Sequence, residues 1–478
     1  MNRVNSRTVA HAVAAALVAG AFAGTAAAQS NEELKQQIDS LQRQIDQLKS
    51  ALDHQQAAPA PAAPAGTQAV RSPARSNGYV ELYGHLDVSL DDANKGISGK
   101  TQDGNVASGH LGWQPDLSSN LSRLGVRGAR NIGDTGLRAI FQIETQVDVS
   151  ATPGESTVPD NTIKGAWASR NSYLGFAGPF GAIKAGKSDA PYKLSTGRMD
   201  PFSATVGDYN AIIGNTGGDN RAEFDTRFSH ALWYESPKFG AFHFGVFWSP
   251  SQNRSNDNVN PPSGEPDCAG GNQPPCTDGS NGTIYSIAGI FDSGPLYLIG
   301  AYEMHKDVNR TGDEAAGGGP APLGAIGVRD EFAYKVGIQY KLPTRTTVSG
   351  IYERMVRNDN NDNFNERKRT SYFFSLVQKF TPMDDFNLSW AHANKTPGDP
   401  EFGPVDNESN LYAIGWKHHF DRQTTIYAVY ATQKNHDFSH FDLGASGHGI
   451  TTDCHDENGV CFFGGHVQAV SIGATYDF

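Results

Sequence analysis

The chain has 478 residues, with 39 basic against 51 acidic side chains and a formal net charge of −12. Its mean hydropathy is below zero, which excludes a bundle of membrane helices, because each such helix needs about 20 consecutive apolar residues. The 25 Phe, 17 Tyr and 6 Trp exclude a disordered chain, and an acidic balance without a basic block argues against nucleic-acid binding. With 53 Gly as well, a large β protein remains.

The N-terminus has the three parts of a secretory signal peptide. Arg3 and Arg7 form a basic start, the run 9–24 is rich in Ala, Val, Leu and Gly, and residues 26–28 form an A-x-A cleavage site. The apolar run is too short and too rich in Ala for a membrane anchor. We therefore predict a signal peptide over residues 1–28 and an exported mature chain that begins at Gln29.

Export places the four cysteines in an oxidising compartment. They form two close pairs in polar stretches, Cys268 with Cys276 and Cys454 with Cys461. We predict two short-range disulfides within surface loops. The alternative is a metal site made of Cys454, His455 and Cys461, but its spacing is not the paired C-x₂-C of a zinc site.

A heptad follows the signal peptide. Its apolar residues recur at spacings of 4, 3, 4, 3 and 4, namely Leu34, Ile38, Leu41, Ile45, Leu48 and Leu52. This pattern predicts a short coiled coil over residues 29–54, with self-association of two or three chains, because an isolated helix of this length is marginal in water. Residues 55–77 are rich in Ala and Pro and are predicted to be a linker.

After Gly78 the apolar period changes from 3.5 to 2, which is the period of half-buried strands. In the segment 332–342, for example, every second residue from Phe332 to Leu342 is apolar, and the residues between them include Lys335 and Gln339. Sixteen such segments are predicted, at 79–90, 120–131, 135–148, 168–177, 180–187, 229–237, 240–249, 282–291, 296–305, 330–341, 345–357, 369–380, 384–394, 408–419, 424–435 and 465–478.

The connections between these segments alternate between short and long. Short ones include 132–134, 178–179, 238–239, 342–344 and 420–422, and long ones include 91–119, 188–228, 250–281, 306–329 and 436–464. This asymmetry is typical of a transmembrane barrel, which has short periplasmic turns and long outer loops. In lipid every backbone group must pair internally, so the sheet must close with its apolar face outward.

The predicted fold is therefore all-β, a 16-stranded antiparallel transmembrane β-barrel over residues 78–478, preceded by a short N-terminal coiled-coil helix. Sixteen strands enclose an aqueous channel instead of a packed core. The charged and amide residues that alternate with the apolar ones then face water inside the barrel.

Several motifs, taken in order and spacing, resemble those of the Gram-negative general porins. They are Ser-Arg-Leu-Gly-Val-Arg-Gly at 122–128, Gly-Leu-Arg-Ala at 136–139, Gly-Ala-Ile-Lys-Ala-Gly at 181–186 and Tyr476-Asp477-Phe478. The resemblance covers about residues 78–478. It implies a homotrimer in outer-membrane lipid, with Tyr476 and Phe478 as a C-terminal insertion signal for the outer-membrane assembly machinery. The coiled coil, which would lie in the periplasm, is similar to an extension of some anion-selective porins.

The resemblance also implies where the pore is narrowest. The segment 188–228 follows the fifth predicted strand, where the third loop of a porin folds into the barrel; taken alone, it would be an ordinary surface loop. Its charged residues include the constriction-loop candidates Arg198, Asp200, Asp208, Asp219 and Arg221. The acidic ones are candidates for one side of the constriction.

Porins place a ladder of basic residues on the wall that faces this loop. Arg123 and Arg127 are four residues apart in one predicted strand and so share a face, and Arg138 lies on the polar face of the next strand. Lys187 and Arg227 match wall positions of the family. These five residues are the predicted basic wall of the constriction.

The loop itself departs from the pattern of the cation-preferring porins. Those proteins carry carboxylates in the segment that corresponds to residues 211–219, where this chain has Ala, Ile, Gly, Asn and Thr until Asp219. A weak acidic side opposite a basic ladder predicts a positive local field, and hence a modest preference for anions. We expect passive diffusion of small hydrophilic or anionic solutes; the alternatives are a channel specific for carboxylates or phosphate, and a surface adhesin.

One motif is typical of a different function, nucleotide binding. Residues 181–188 match the phosphate-loop pattern G-x-x-x-x-G-K-[ST], which requires a strand, a tight loop and a helix. Here the residues alternate as in a continuing strand, and Pro191 follows shortly, so we reject nucleotide binding. No catalytic arrangement of Ser, His and carboxylates stands out, so the chain is not predicted to be an enzyme and no cofactor is expected.

Overall fold

A computed structural model describes residues 77–100, 106–150, 167–215, 224–250, 283–308, 329–357, 368–396, 406–439, 441–443 and 464–478. The predicted signal peptide, coiled coil and disulfides lie outside these residues, as does nearly all of the predicted linker, and they stay predictions. The chain divides into two compact units, Met1–Gly66 and Thr67–Phe478, and the second contains all of the described residues.

Within the described ranges the chain is almost entirely β-structure. Its strands are β1 Gly78–Lys100, β2 Val106–Ser119, β3 Arg123–Asn131, β4 Arg138–Gln146, β5 Ser172–Gly178, β6 Gly181–Asp189, β7 Arg227–Glu235, β8 Phe242–Ser249, β9 Thr283–Ser293, β10 Leu296–Val308, β11 Arg329–Lys341, β12 Thr346–Arg357, β13 Arg369–Lys379, β14 Asp384–Ala393, β15 Ser409–His419, β16 Thr424–Asn435 and β17 Gly465–Asp477. The short helix α1, Pro191–Thr196, and two 3₁₀ turns, Gly197–Met199 and Tyr209–Ala211, lie between β6 and β7. No helix in these ranges has the length and apolarity needed to cross a membrane.

These strands close into an antiparallel barrel with sixteen positions. The strands β2 and β3 share one position, because β1 pairs with β2 through residues 88–100 and with β3 through residues 78–85. From β3 onward each strand pairs with the next, and β17 returns to β1. The prediction of a 16-stranded antiparallel barrel is confirmed.

The predicted long connection at 91–119 is wrong. The strand β1 continues to Lys100, and β2 occupies Val106–Ser119. The polar residues that suggested a loop belong to a strand whose inner face is polar, since Asp87 and Asp91 are 3% and 0% exposed. Apolar alternation therefore marks only the part of a strand that meets lipid.

The two faces of the strands have the predicted chemistry. On β11, Val336 and Ile338 point outward and are 54% and 51% exposed, whereas Lys335 and Gln339 point inward and are buried. The strand β6 runs unbroken from Gly181 to Asp189, so the residues of the phosphate-loop pattern lie in the barrel wall.

The seam between β1 and β17 ends in a close contact with Phe478. The Gly84 amide donates to the Phe478 carbonyl at 3.0 Å, and the Phe478 amide donates to the Gly84 carbonyl at 3.1 Å. A Cβ atom on Gly84 would lie 2.3 Å from Cζ of the Phe478 ring. Only glycine leaves room for this ring at the seam.

We expect Gly84→Ala to lower the unfolding temperature of the barrel in detergent, because the added methyl group displaces the Phe478 ring, at a cost of about 1–3 kcal/mol. The matched control is Gly300→Ala in β10, where no atom lies within 4 Å of the new Cβ. Heat-modifiable migration in gels measures both transitions. Equal transitions in the two variants would contradict this account of the seam.

Candidate functional site

The described residues between β6 and β7, 190–215 and 224–226, lie inside the barrel; we call them the inner loop. Its backbone is held by inward side chains of distant strands. The Tyr192 amide donates to Ser286 Oγ at 3.0 Å, Tyr297 OH donates to the Ser195 carbonyl at 2.7 Å, and Ser375 Oγ donates to the Met199 carbonyl at 2.8 Å. Together with the contact of Phe202 on Gly415, these bonds place the inner loop against the wall formed by β9 to β15.

A buried cluster of charged groups fixes the inner loop; we call Tyr192, Asp225, Lys335 and Glu353 the buried anchor. Lys335 on β11 pairs with Asp225 of the loop, and both side chains are fully buried. Glu353 on β12 accepts from Tyr192 OH at 2.7 Å and from the Gly214 amide at 2.8 Å. Breaking a pair of this kind leaves an uncompensated charge, so the anchor holds the loop in one position.

Two wall glycines make room for the loop. A Cβ atom on Gly415 of β15 would lie 2.8 Å from Cε1 of Phe202, and one on Gly337 of β11 would lie 3.1 Å from the sulfur of Met199. Because neither position has a side chain, these two apolar residues of the loop pack directly on the sheet. The absence of a side chain at each glycine therefore matches the volume of the loop side chain that packs on it.

Two of the predicted acidic loop residues stabilise the loop's own fold. Asp200 accepts from the amides of Phe202 and Tyr209 at 2.8 and 3.1 Å, and Asp208 accepts from the amides of Ala204 and Asn210 at 2.8 Å. The two residues are only 7% and 3% exposed. Burial and the carboxylate of Asp208 raise the pKa of Asp200 well above its usual range. Neither carboxylate faces the lumen, contrary to the role predicted for them.

The remaining constriction-loop candidates are placed differently. Arg198 forms an ion pair with Asp292 at 3.0 Å, and its guanidinium lies 4.1 Å from the centre of the Tyr297 ring. It therefore lies close to the wall, beside the turn between β9 and β10. Asp219 and Arg221 lie outside the described residues.

On the other side of the barrel, Arg123 and Arg127 share the inner face of β3, as predicted from their spacing. Arg127 Nε lies 2.9 Å from Glu81 Oε2, and its guanidinium is 4.8 Å from the centre of the Tyr83 ring. Arg123 Nε lies 3.8 Å from Glu144 Oε2. Their side chains are 32% and 49% exposed, respectively, so both reach the water-filled interior.

Sequence patterns missed Arg170 as a wall residue. Its Nε donates to Glu144 Oε1 at 2.9 Å, and Tyr83 OH donates to the other carboxylate oxygen at 2.9 Å. Arg170 was predicted to lie in a strand, whereas β5 begins at Ser172, and Arg170 lies in the preceding turn. Strand alternation therefore could not predict the direction of the Arg170 side chain. The polar run 169–171 is the only sequence signal of the turn.

A second cluster surrounds Asp189 at the top of β6. Arg227 Nη2 lies 3.0 Å from Asp189 Oδ2, and Arg227 Nε donates to Asn171 Oδ1 at 2.6 Å. Lys193 Nζ lies 3.5 Å from Asp189 Oδ1. Asn171 also donates to Asp189 at 2.8 Å, so the carboxylate is held from three sides.

Together these groups form one charged surface, which we call the wall network. Its five cations outnumber its three carboxylates, which leaves two excess positive charges. Its members are Arg123, Arg127, Arg170 and Arg227 of the wall and Lys193 of the inner loop, with Glu81, Glu144 and Asp189. Arg138 is six residues from Glu144 on β4, about 20 Å along the strand, so it lies outside the network at the short-turn end. Lys187 lies in register with Ser172, next to the network.

We expect Lys335→Met to lower the free energy of unfolding by about 3–5 kcal/mol, because it leaves Asp225 buried without its cation. Urea unfolding in lipid vesicles measures the change. The matched control is Lys341→Met, an exposed lysine on the same strand, which should stay within about 0.5 kcal/mol of the parent. Equal losses in both variants would show that the anchor does not carry this stability.

A closed barrel with an apolar exterior, a polar interior and a loop held inside it is the architecture of an outer-membrane channel. Residues 12–437 match the Gram-negative porin family, and the chain belongs to that family. The protein is therefore a porin of the Gram-negative outer membrane. It forms a water-filled channel for passive diffusion of small hydrophilic solutes and is not an enzyme.

Individual relatives agree with this assignment. An outer membrane porin protein of Bordetella pertussis is 23% identical over 381 residues, which cover 76% of this chain and 91% of the relative. The solved anion-selective porin from Comamonas acidovorans is similar with a TM-score of 0.61 and 20% identity, over 84% of this chain and 100% of that one. The trimer form of OmpT from Vibrio cholerae gives a TM-score of 0.53 and 14% identity, over 84% and 100% of the two chains.

Proposed function

We propose that this porin prefers small anions and that its pore is narrowest between the wall network and the inner loop. The observation that carries the proposal is the excess of two positive charges on the wall network, counted from five cations and three carboxylates. Because the inner loop lies against β9 to β15, the solute path runs along the opposite wall, where most of these charges lie.

The loop adds no described carboxylate to balance them. Asp200, Asp208 and Asp225 are all buried, and the exposed residues of the described part of the loop include Leu194, Gly197 and Ser203. Charges in the outer loops are screened beyond about 8 Å at physiological salt. The field at the narrowest point is therefore set by the wall network and not by the net charge of −12. The anion-selective porin of Comamonas acidovorans shows that this fold supports such a preference.

We expect Arg123→Gln with Arg127→Gln to move the reversal potential in a salt gradient toward cations, since the change removes both excess positive charges of the wall network. The anion-to-cation permeability ratio should fall severalfold, because each unit charge contributes about 1 kcal/mol in a hydrated pore. Planar-bilayer recording gives the ratio. The control is Arg422→Gln, which removes an exposed charge in a short turn.

Two results would contradict the proposal. One is a parent channel that prefers cations. The other is a double variant with an unchanged reversal potential, which would place the selective charges elsewhere. The same purified proteins should keep their heat-modifiable migration, so that a loss of selectivity is not confused with a loss of folding.

We further propose that the protein is a homotrimer whose subunits meet through the outward face of β3 to β6. The middle of this face carries aliphatic residues and Phe, with Arg130 and Thr145 at its two ends, and it has no Tyr or Trp in its described part. Its apolar residues are Leu124, Val126, Ala139, Phe141, Ile143, Leu174, Phe176, Ile183 and Ala185. By contrast, the strands β9 to β16 carry outward Tyr and Trp, which prefer the interface between lipid and water. The strands β4 to β6 are also short, at 9, 7 and 9 residues. Both features are expected of a part of the barrel wall that contacts neighbouring subunits instead of lipid.

We expect Leu174→Arg to dissociate the trimer, because it places a charge in the proposed interface, where Leu174 is 62% exposed in the single chain. The matched control is Val336→Arg on β11, which is 54% exposed and faces lipid in this proposal. Light scattering in detergent measures the assembly. A trimer that survives Leu174→Arg but not Val336→Arg would place the interface on the opposite side of the barrel.

A further inference from the structure

The outer surface of β12, β14 and β16 carries one basic residue on each strand, near the end that has the long connections. These residues are Arg354, His392 and Lys434, which we call the rim row. Strand alternation directs them outward, because their inward neighbours Glu353, Ala391 and Gln433 are buried. The rim row is thus on the lipid side of the barrel and separate from the pore.

An aromatic layer lies directly below the rim row. Tyr352 and Tyr372 are in contact with ring centres 5.6 Å apart, Tyr372 stacks on His392 at 6.3 Å, and Trp390 stacks on His392 at 5.8 Å. Below these rings the outward residues are aliphatic or Phe, as with Phe374. The order from apolar to aromatic to basic is that of a surface crossing from acyl chains to headgroups.

The two permanent cations of the rim row form no ion pair within the described ranges. Arg354 Nη1 donates to Thr370 Oγ1 at 2.7 Å, and Lys434 Nζ lies 5.5 Å from the centre of the Tyr412 ring. Both contacts orient a cation without neutralising it. The surface therefore presents positive charge at the depth where lipid headgroups lie.

The outward carboxylates that precede β15 lie one row farther from the membrane than Lys434 and are engaged there. Asp406 is 3.0 Å from Lys395 Nζ, and Glu408 is 3.2 Å from His436 Nε2. These pairs leave Arg354 and Lys434 available to another anion. The membrane-facing position of the rim row makes that anion a lipid headgroup.

We propose that the rim row binds the phosphate groups of anionic lipids that surround the barrel. Alternate strands are about 10 Å apart, so the three side chains are spaced along the membrane surface and contact neighbouring lipids. Arg354 offers a planar fork of donors suited to phosphate, and Lys434 offers a compact point charge. The acyl chains of the same lipids would lie against the aromatic layer and the aliphatic residues below it.

Native mass spectrometry tests this with the full-length purified porin in detergent, supplied with equal amounts of phosphatidylglycerol and phosphatidylcholine. The parent protein should retain phosphatidylglycerol preferentially. The double variant Arg354→Gln, Lys434→Gln should bind phosphatidylglycerol roughly 30-fold more weakly, since each basic side chain near a membrane surface contributes about a fivefold factor. Its reversal potential should equal that of the parent, because both side chains face away from the pore.

The matched control is the double variant Lys341→Gln, Lys379→Gln, which removes two exposed lysines at the opposite end of β11 and β13. It should bind phosphatidylglycerol as the parent does. The single variant Lys434→Gln serves if the double variant does not fold. Equal retention of the two lipids by the parent would overturn the proposal. So would displacement of phosphatidylglycerol by inorganic phosphate alone, which would identify a site for free anions.

Discussion

The backbone of a sheet in lipid has no water to bond with, and this constraint decides the architecture of the protein. Every strand must find a partner on both edges, so the sheet closes where β17 pairs with β1. Closure requires strands that alternate strictly between two solvents. From that alternation follow an apolar exterior and an interior wide enough to hold water and a loop. The channel thus exists because the backbone can satisfy all of its hydrogen bonds only in a closed sheet.

The interior then divides its charges between two tasks. On one side, Lys335 and Glu353 are fully buried and hold the inner loop in place. On the other, Arg123 and Arg127 keep part of their surface in water while Glu81 and Glu144 hold their positions. In the proposed mechanism, charged groups of the same kind thus stabilise the fold where they are covered and act on solutes where they are not. Burial, more than residue type, separates the two roles.

The sequence was sufficient for features that depend on a local period. The sixteen strand positions and the shared face of Arg123 and Arg127 follow from alternation alone, and the structure shows both. Features that depend on contacts between distant parts of the chain were not predicted. Asp200 and Asp208 could not be known to cap the loop's own amides, and Arg170 points toward Glu144 only because its turn folds back on β4. The extension of β1 to Lys100 was missed because a strand beyond the lipid needs no apolar face.

The anchoring of the inner loop has a consequence for assembly. Asp225 and its partner Lys335 are 110 residues apart in the chain, and Tyr192 and Glu353 are 161 apart. We expect contacts of such long range to form late, after the strands that carry them have been aligned, because the entropy of closing long loops opposes them. A partly assembled barrel would have its wall but not yet its inner loop in place. The permeability of the membrane to large solutes would then be greatest during insertion, so that rapid completion of folding itself protects the cell's barrier.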